Sequence, residues 1–98
     1  MITTKQRAYL RGLANKEPAV VIIGKEGITE TVISGISDAL DARELVKCSV
    51  LETAPVDAKE AIAVVLGKIS ATEAVQVIGR KFVIYKRNLK EPKIVLPR

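Results

Sequence analysis

Two glycines separated by two charged residues, Gly24-Lys25-Glu26-Gly27, lie between a short apolar run and the expected start of a helix. Glycine has no Cβ, so a turn of this kind lets the backbone approach a ligand closely. The helix start that follows offers unpaired N–H groups, which favour an oxygen anion such as a phosphate. Many turns between a strand and a helix contain glycine for backbone geometry alone, so the spacing leaves a purely structural interpretation open.

Charge is the second chemical feature of the chain. It has 16 Lys and Arg against 11 Asp and Glu, a net charge of +5 and a pI near 9.6, which favour a polyanion as partner. No acid precedes Glu17, and the acids gather in the second and third expected helices. The cations gather near the two ends of the chain, at Lys5, Arg7, Arg11 and Lys16 and at Arg80, Lys81, Lys86, Arg87, Lys90 and Lys93.

The residue types give little support to catalysis. The chain has no histidine, which removes the most frequent general base and metal ligand. Its single cysteine, Cys48, falls in an expected strand, where a small buried side chain is the ordinary interpretation. No G-x-x-x-x-G-K-[ST] pattern for nucleoside triphosphates occurs. We therefore expect no enzymatic activity, no metal and no cofactor.

Length and hydropathy indicate one folded domain. The chain has 98 residues, of which 48% are hydrophobic, enough for a single core. No apolar run reaches the roughly 18–20 residues of a membrane span, and the first residues do not resemble a signal peptide. One cysteine cannot form an internal disulfide. These features predict a cytoplasmic monomer that does not contact a membrane.

Periodicity predicts an α/β domain with the element order α-β-α-β-α-β-β. Two crossover connections imply parallel neighbouring strands, and the last two strands form a hairpin, so the four-stranded sheet is mixed. Thr4, Thr29 and Asp57 are the expected N-caps of the three helices. The expected elements are helices over 4–15, 30–43 and from residue 57 to about 69, strands over 19–23, 45–51, 74–78 and 81–86, and an extended tail over 88–98.

Three features of this pattern predict burial. The continuous β-branched run 19–23 predicts a fully buried strand. Tyr9 lies on the apolar stripe of the first helix, and Phe82 and Tyr85 point to opposite faces of the fourth strand. We expect at least two of these aromatic residues in the core. A platform of aromatic side chains for base stacking is therefore not expected.

Six blocks of the sequence form one pattern along the chain: Thr4–Arg7 with Leu10, Arg11 and Ala14, then Ile23–Glu30, Ala42–Lys47, Val75–Arg80, Ile84–Lys86 and Lys93–Pro97. Together these blocks resemble the CRM domain family (chloroplast RNA splicing and ribosome maturation) in its stand-alone bacterial YhbY type. The resemblance implies a fold similar to the C-terminal domain of translation initiation factor three. It also implies RNA binding, with precursors of the large ribosomal subunit as the associated particles.

The resemblance implies a set of RNA-binding residues. The family's loop falls on Gly24, Lys25, Glu26 and Gly27, with Lys25 as the projecting basic residue. The family's basic first helix falls on Lys5, Arg7 and Arg11, and its post-strand turn on Gly79, Arg80 and Lys81. This sequence departs from the family at Glu26, where a neutral or basic residue is common, and a carboxylate there repels phosphate unless it points outward.

The hypothesis from sequence is one RNA-binding domain over 1–98, whose first helix, loop and Arg80 turn form a contiguous cationic face for ribosomal RNA. One alternative is a general nucleic-acid-binding protein that uses the same face, which equal affinity for duplex DNA would indicate. The other is a protein-interaction adaptor that uses its acidic helices, which charge reversal on those helices would test.

Overall fold

The computed structural model describes residues 2–97, so Met1 and Arg98, the outermost residues of the expected domain and tail, lie outside the described residues. Its helices are α1 (Thr4–Ala14), α2 (Glu30–Arg43) and α3 (Ala58–Lys68). Its strands are β1 (Val21–Ile23), β2 (Leu45–Val50), β3 (Glu73–Ile78) and β4 (Lys81–Tyr85). The predicted element order is confirmed. None of the helices within 2–97 has the length and apolar character that a bilayer crossing requires.

The four strands form one mixed sheet in the order β1-β2-β4-β3. β1 and β2 are parallel, and β4 is antiparallel to both β2 and β3. The expectation that the second crossover joins parallel neighbours is wrong, because β4 pairs with β2 from Leu45↔Tyr85 to Ser49↔Lys81 and separates β2 from β3. β4 is therefore an interior strand, and Lys86 and Arg87 do not protect a sheet edge.

Helices cover both faces of the sheet. α2 and α3 pack on one face, where Phe82 belongs to the core, and α1 packs on the other face, where Tyr85 does. The predicted opposite orientations of these two aromatic residues are confirmed. Cys48 is fully buried in the α2/α3 core, and burial raises the pKa of its thiol to about 12. The thiol therefore stays protonated at neutral pH, as expected for a structural cysteine.

Side-chain caps set where the helices begin. Thr29 and Asp57 are the N-caps of α2 and α3, as predicted. The predicted cap of α1, Thr4, is wrong by one residue: Thr3 is the cap, and its hydroxyl accepts from the Gln6 amide while Gln6 Oε1 accepts from the Thr3 amide. Gln6 lies three residues after Thr3 and completes this capping box, whereas Arg7, three residues after Thr4, has no acceptor to offer.

One prediction of burial is wrong. β1 is shorter than the run 19–23 and lies at the edge of the sheet, so Ile22 is 60% exposed. The expectation that at least two aromatic residues lie in the core is confirmed by Phe82 and Tyr85, while Tyr9 is 43% exposed on α1. Ile22 lies on the α1 face, where α1 and the tail do not reach as far as its edge strand. Periodicity identifies apolar positions but does not say how wide the covering layer is.

Glu44 holds the C-terminal tail against the sheet. Its side chain is fully buried and accepts hydrogen bonds from the backbone amides of Asn88 (2.6 Å), Lys93 and Ile94 (2.7 Å). Ile94 and Leu96 pack against the α1 core, so the tail docks on its own sheet. From the sequence we expected only an extended tail here, and Glu44 had no predicted role.

Candidate nucleic-acid interface

Three connections meet at one end of the sheet, which we call the loop end. β1 and β2 finish in register at Ile23 and Val50, and the Leu51 amide donates to the Ile23 carbonyl at 2.9 Å. The Val50 amide donates to the Arg80 carbonyl at 2.7 Å. The G-x-x-G loop (24–27), the loop over 51–57 and the Gly79-Arg80 turn therefore lie side by side.

The G-x-x-G loop is a closed turn. The Gly27 amide donates to the Gly24 carbonyl at 2.9 Å, and Lys25 and Glu26 occupy the exposed corner. Gly27 is buried with a φ of 74°, and a Cβ there would lie 3.0 Å from Pro55 Cγ. A Cβ on Gly24 would meet only Leu51 Cδ1, at an ordinary 3.8 Å. The fold requires glycine at position 27 but not at position 24.

Alanine substitutions at Gly24 and Gly27 are expected to have different effects on stability. Gly27→Ala combines a positive φ with a close contact and should lower the free energy of unfolding by about 1–3 kcal/mol. Gly24→Ala should leave it unchanged or raise it by up to about 1 kcal/mol, because its backbone suits alanine. Urea denaturation of both variants measures the difference. Equal losses in the two variants would contradict the geometry of this turn.

Arg7 and Arg11 lie four residues apart and share one flank of α1. The opposite flank carries Tyr9 and Leu13 and lines a groove with residues 42–45 and 93–95, at the end of the sheet remote from the loop end. The flank with Arg7 and Arg11 therefore lies on the side of α1 nearer the loop end. Arg7 Nε donates to the Ala74 carbonyl at 3.0 Å, four residues before Ile78 on β3, so its guanidinium is held away from the loop end.

Lys5 does not share this flank. It precedes Arg7 by two residues, which corresponds to about 200° around a helix. Its side chain is exposed, whereas Arg7 and Arg11 are half-buried. The structure therefore brings two of the three predicted cations of α1 to the flank near the loop end and leaves Lys5 on the outer side of the helix.

A cross-strand row at the loop end remains uncovered by α1. Its members pair in register across all four strands. Three of them have chain neighbours in the α2/α3 core (Ile23, Cys48 and Phe82), and the fourth member pairs directly with one of those three members, so all four side chains lie on the α1 face. The next row is covered: Val83 is buried beneath α1, and Lys47 Nζ contacts the Ala14 carbonyl at 3.4 Å. We call the uncovered set the exposed row, and it consists of Ile22, Ser49, Lys81 and Ile78.

Arg80 forms an ion pair at the loop end. Its Nη2 lies 2.9 Å from Glu52 Oε1, and both side chains are largely exposed. An exposed pair of this kind contributes only about 0–1 kcal/mol to stability. A phosphate can therefore easily replace the Glu52 carboxylate as the partner of Arg80, so the ion pair leaves Arg80 available for RNA.

Charge differs between the two faces of the sheet at the loop end. α1 contains cations and no acid, and Lys81 adds a further cation on the same face. The first turns of α2 and α3 on the other face carry Glu30 and Glu60, with Asp57 as a cap. A polyanion at the loop end is therefore attracted to the α1 face.

The family profile described as CRS1 / YhbY (CRM) domain matches residues 2–86. The chain belongs to this family. The matched segment contains all three helices, the whole sheet and the loop end. This CRM domain has the predicted element order and mixed four-stranded sheet, with the predicted cations distributed over α1, the G-x-x-G loop and the β3–β4 turn.

Relatives of this CRM domain match it over nearly the whole chain. "Probable RNA-binding protein YqeI" of Bacillus subtilis is 39% identical over 99% of this chain and 100% of its own length. A protein of Haemophilus influenzae named "RNA-binding protein" is 37% identical, over 99% of this chain and 96% of its own. The solution structure of the hypothetical protein SAV1595 from Staphylococcus aureus superposes with a TM-score of 0.77 at 42% identity, covering 99% of this chain and 100% of that one.

The sequence analysis of this CRM domain missed the exposed row. Only Lys81 of its four members was among the predicted site residues. One signal was present: Lys47 and Ser49 alternate with the apolar residues of β2, which indicates one face with incomplete cover. The pairing that aligns Ser49 with Ile22 and Ile78 is long-range and cannot be obtained from any one segment.

Proposed function

We propose that this protein binds RNA, and that its target is ribosomal RNA in precursors of the large ribosomal subunit during assembly. We propose that it acts in the cytoplasm as a monomer. The family, the names of its relatives and the net charge of +5 support RNA as partner. The observation that carries the proposal is the convergence of basic residues from three separate elements at the loop end of the sheet.

In the proposed mechanism, the RNA backbone runs along the loop end on the α1 face. Lys25, Arg80 and Lys81 contact phosphates from the loop, the turn and the exposed row, and Arg11 borders the same path. Arg7, whose guanidinium is held at the Ala74 carbonyl, adds to the positive charge of this face from farther away. Gly24 lets a phosphate approach the backbone closely, while Gly27 and Pro55 hold the turn in one shape. Lys5, on the outer side of α1, adds only to the long-range attraction.

Contacts of this kind recognise the shape and charge of the backbone. Each phosphate contact releases condensed counterions, so the affinity falls steeply as the salt concentration rises. A-form RNA and duplex DNA differ in groove shape and in the 2′-hydroxyl, which gives the surface a basis for preferring RNA.

The test measures binding of labelled large-subunit ribosomal RNA fragments and of duplex DNA of equal length across a salt series. Tighter binding to RNA at every salt concentration, with a negative slope of log K against log salt, is the expected result. Equal affinity for both polymers would favour a general nucleic-acid-binding protein. Absence of binding to either would overturn the proposal.

Glu26 is expected to weaken the proposed contact. It shares the exposed corner of the loop with Lys25, so its carboxylate repels a phosphate bound there. Glu26→Gln should raise RNA affinity about two- to fivefold at low salt, and less as salt screens the charge. Asp38→Asn makes the same charge change on exposed α2 and is the matched control. Equal gains in the two variants would mean that only net charge matters.

A further inference from the structure

The exposed row combines apolar and cationic side chains on one open strip of sheet. Ile22 on β1 is 60% exposed and Ile78 on β3 is 57% exposed, and Ser49 and Lys81 lie between them. Strands are spaced about 4.8 Å apart, so the row spans about 14 Å from one edge strand to the other. Exposed β-branched side chains at both ends of one strip indicate a contact surface.

We propose that the exposed row binds the bases of unpaired RNA nucleotides, so that the preferred ligand is a loop, bulge or single-stranded segment. This inference rests on the proposed function and specifies its substrate class. The row is continuous with the cations of the loop end, which would hold the phosphates of the same nucleotides. Ile22 and Ile78 contact base faces, and Lys81 between them contacts a phosphate.

Charge favours RNA over a second copy of this chain as the occupant. Lys81 lies within the row, Arg80 precedes it in the β3–β4 turn, and Lys25 lies in the exposed corner of the neighbouring G-x-x-G loop, so the strip and its surroundings carry positive charge. A two-fold symmetric contact through the row would bring the Lys81 side chains of both copies together, which is repulsive. A polyanion with apolar base faces complements both components of the strip.

Ile22 and Ile78 can contact the face of an RNA base only if that base is unpaired. In duplex RNA the base faces are stacked inside the helix, so only phosphates, sugars and groove edges reach a protein surface. In unpaired segments the faces are accessible to side chains. The cations of the loop end can contact both forms, whereas Ile22 and Ile78 can contact base faces only in the unpaired form.

The experiment compares two labelled RNAs of the same length, a hairpin with a ten-nucleotide loop and a blunt duplex, over a salt series. We expect Ile22→Ser/Ile78→Ser to bind the hairpin about tenfold more weakly and the duplex as tightly as the wild type does. Apolar contacts release no counterions, so the double variant should keep the wild-type slope of log K against log salt. Lys81→Ala should make this slope shallower for both RNAs. Leu89→Ser, at an 85% exposed apolar residue in the tail, is the matched control.

Urea denaturation checks that the double variant is folded, and Ile22→Thr/Ile78→Thr, which keeps β-branched residues in both strands, replaces it if it is not. Wild-type affinity of the double variant for the hairpin would overturn the inference while leaving RNA binding intact. A concentration-dependent dimer that this variant abolishes would assign the row to self-association and also overturn it. If the wild type binds neither RNA, the proposed function fails as well.

Discussion

The triple variant Lys25→Ala/Arg11→Ala/Lys81→Ala is expected to bind RNA about a hundredfold more weakly than the wild type at physiological salt. Each residue supplies one proposed phosphate contact from a different element. Release of counterions at one contact contributes roughly a fivefold gain in affinity at about 0.15 M salt, and the three gains multiply. The slope of log K against log salt should also become shallower by about 2–3 units.

A variant with the same change in net charge provides the control for this result. Arg43→Ala/Lys68→Ala/Lys90→Ala removes three exposed cations from the C-terminal ends of α2 and α3 and from the tail, remote from the loop end. It should lose only a few-fold in affinity, through the weaker long-range field. If the two triple variants lose affinity and slope equally, binding depends on net charge and the loop end is not the site.

Replacement of Glu44 is expected to have the largest effect on the fold. Glu44→Ala removes the acceptor of three backbone hydrogen bonds and should lower the free energy of unfolding by about 2–4 kcal/mol. Glu44 also adopts a φ of 64°, where alanine is as strained as glutamate. Glu44→Gly relieves this strain and should be less destabilising than Glu44→Ala, although both lose the carboxylate.

The loss of Glu44 should be visible in the tail itself. In the wild type, the Lys93 and Ile94 amides are bonded to Glu44, so they should exchange slowly with deuterium. In Glu44→Ala both amides should exchange rapidly while the amides of β2 and β4 remain protected. Glu91→Ala, which removes only an exposed pair with Lys93 at 3.4 Å, should change stability by less than about 0.5 kcal/mol. Unchanged exchange in Glu44→Ala would show that the tail docks through its apolar residues alone.

Local sequence signals predicted the loop and its flanking helix well. Thr29 is the N-cap of α2, and Gly24 to Gly27 form a turn directly before that helix, as predicted. These features depend on residues within a few positions of one another, so their chemistry is visible in the sequence. The sequence did not predict that alanine fits at Gly24. This follows only from the space between Gly24 and Leu51 in the folded structure.

Long-range contacts account for the wrong predictions of strand neighbours and of burial in β1, and for the missed role of Glu44. The insertion of β4 between β2 and β3 depends on which edge the last hairpin joins, and the hydrophobic pattern of each strand is satisfied by either arrangement. The exposure of Ile22 follows from the same cause, since a β-branched residue on an edge strand is covered only if a helix reaches it. Glu44 was missed because its hydrogen-bonding partners lie more than forty positions later in the chain.

The sequence alone determined the element types, the helix caps at Thr29 and Asp57, the family and the excess of positive charge, because these depend on residue chemistry and short-range spacing. Only the tertiary structure decided which cations share a surface. It held Arg7 at the Ala74 carbonyl, paired Arg80 with Glu52, and left the exposed row uncovered beside the G-x-x-G loop. Strand order and the reach of α1 set these relations, and both arise from contacts between segments that are distant in the chain.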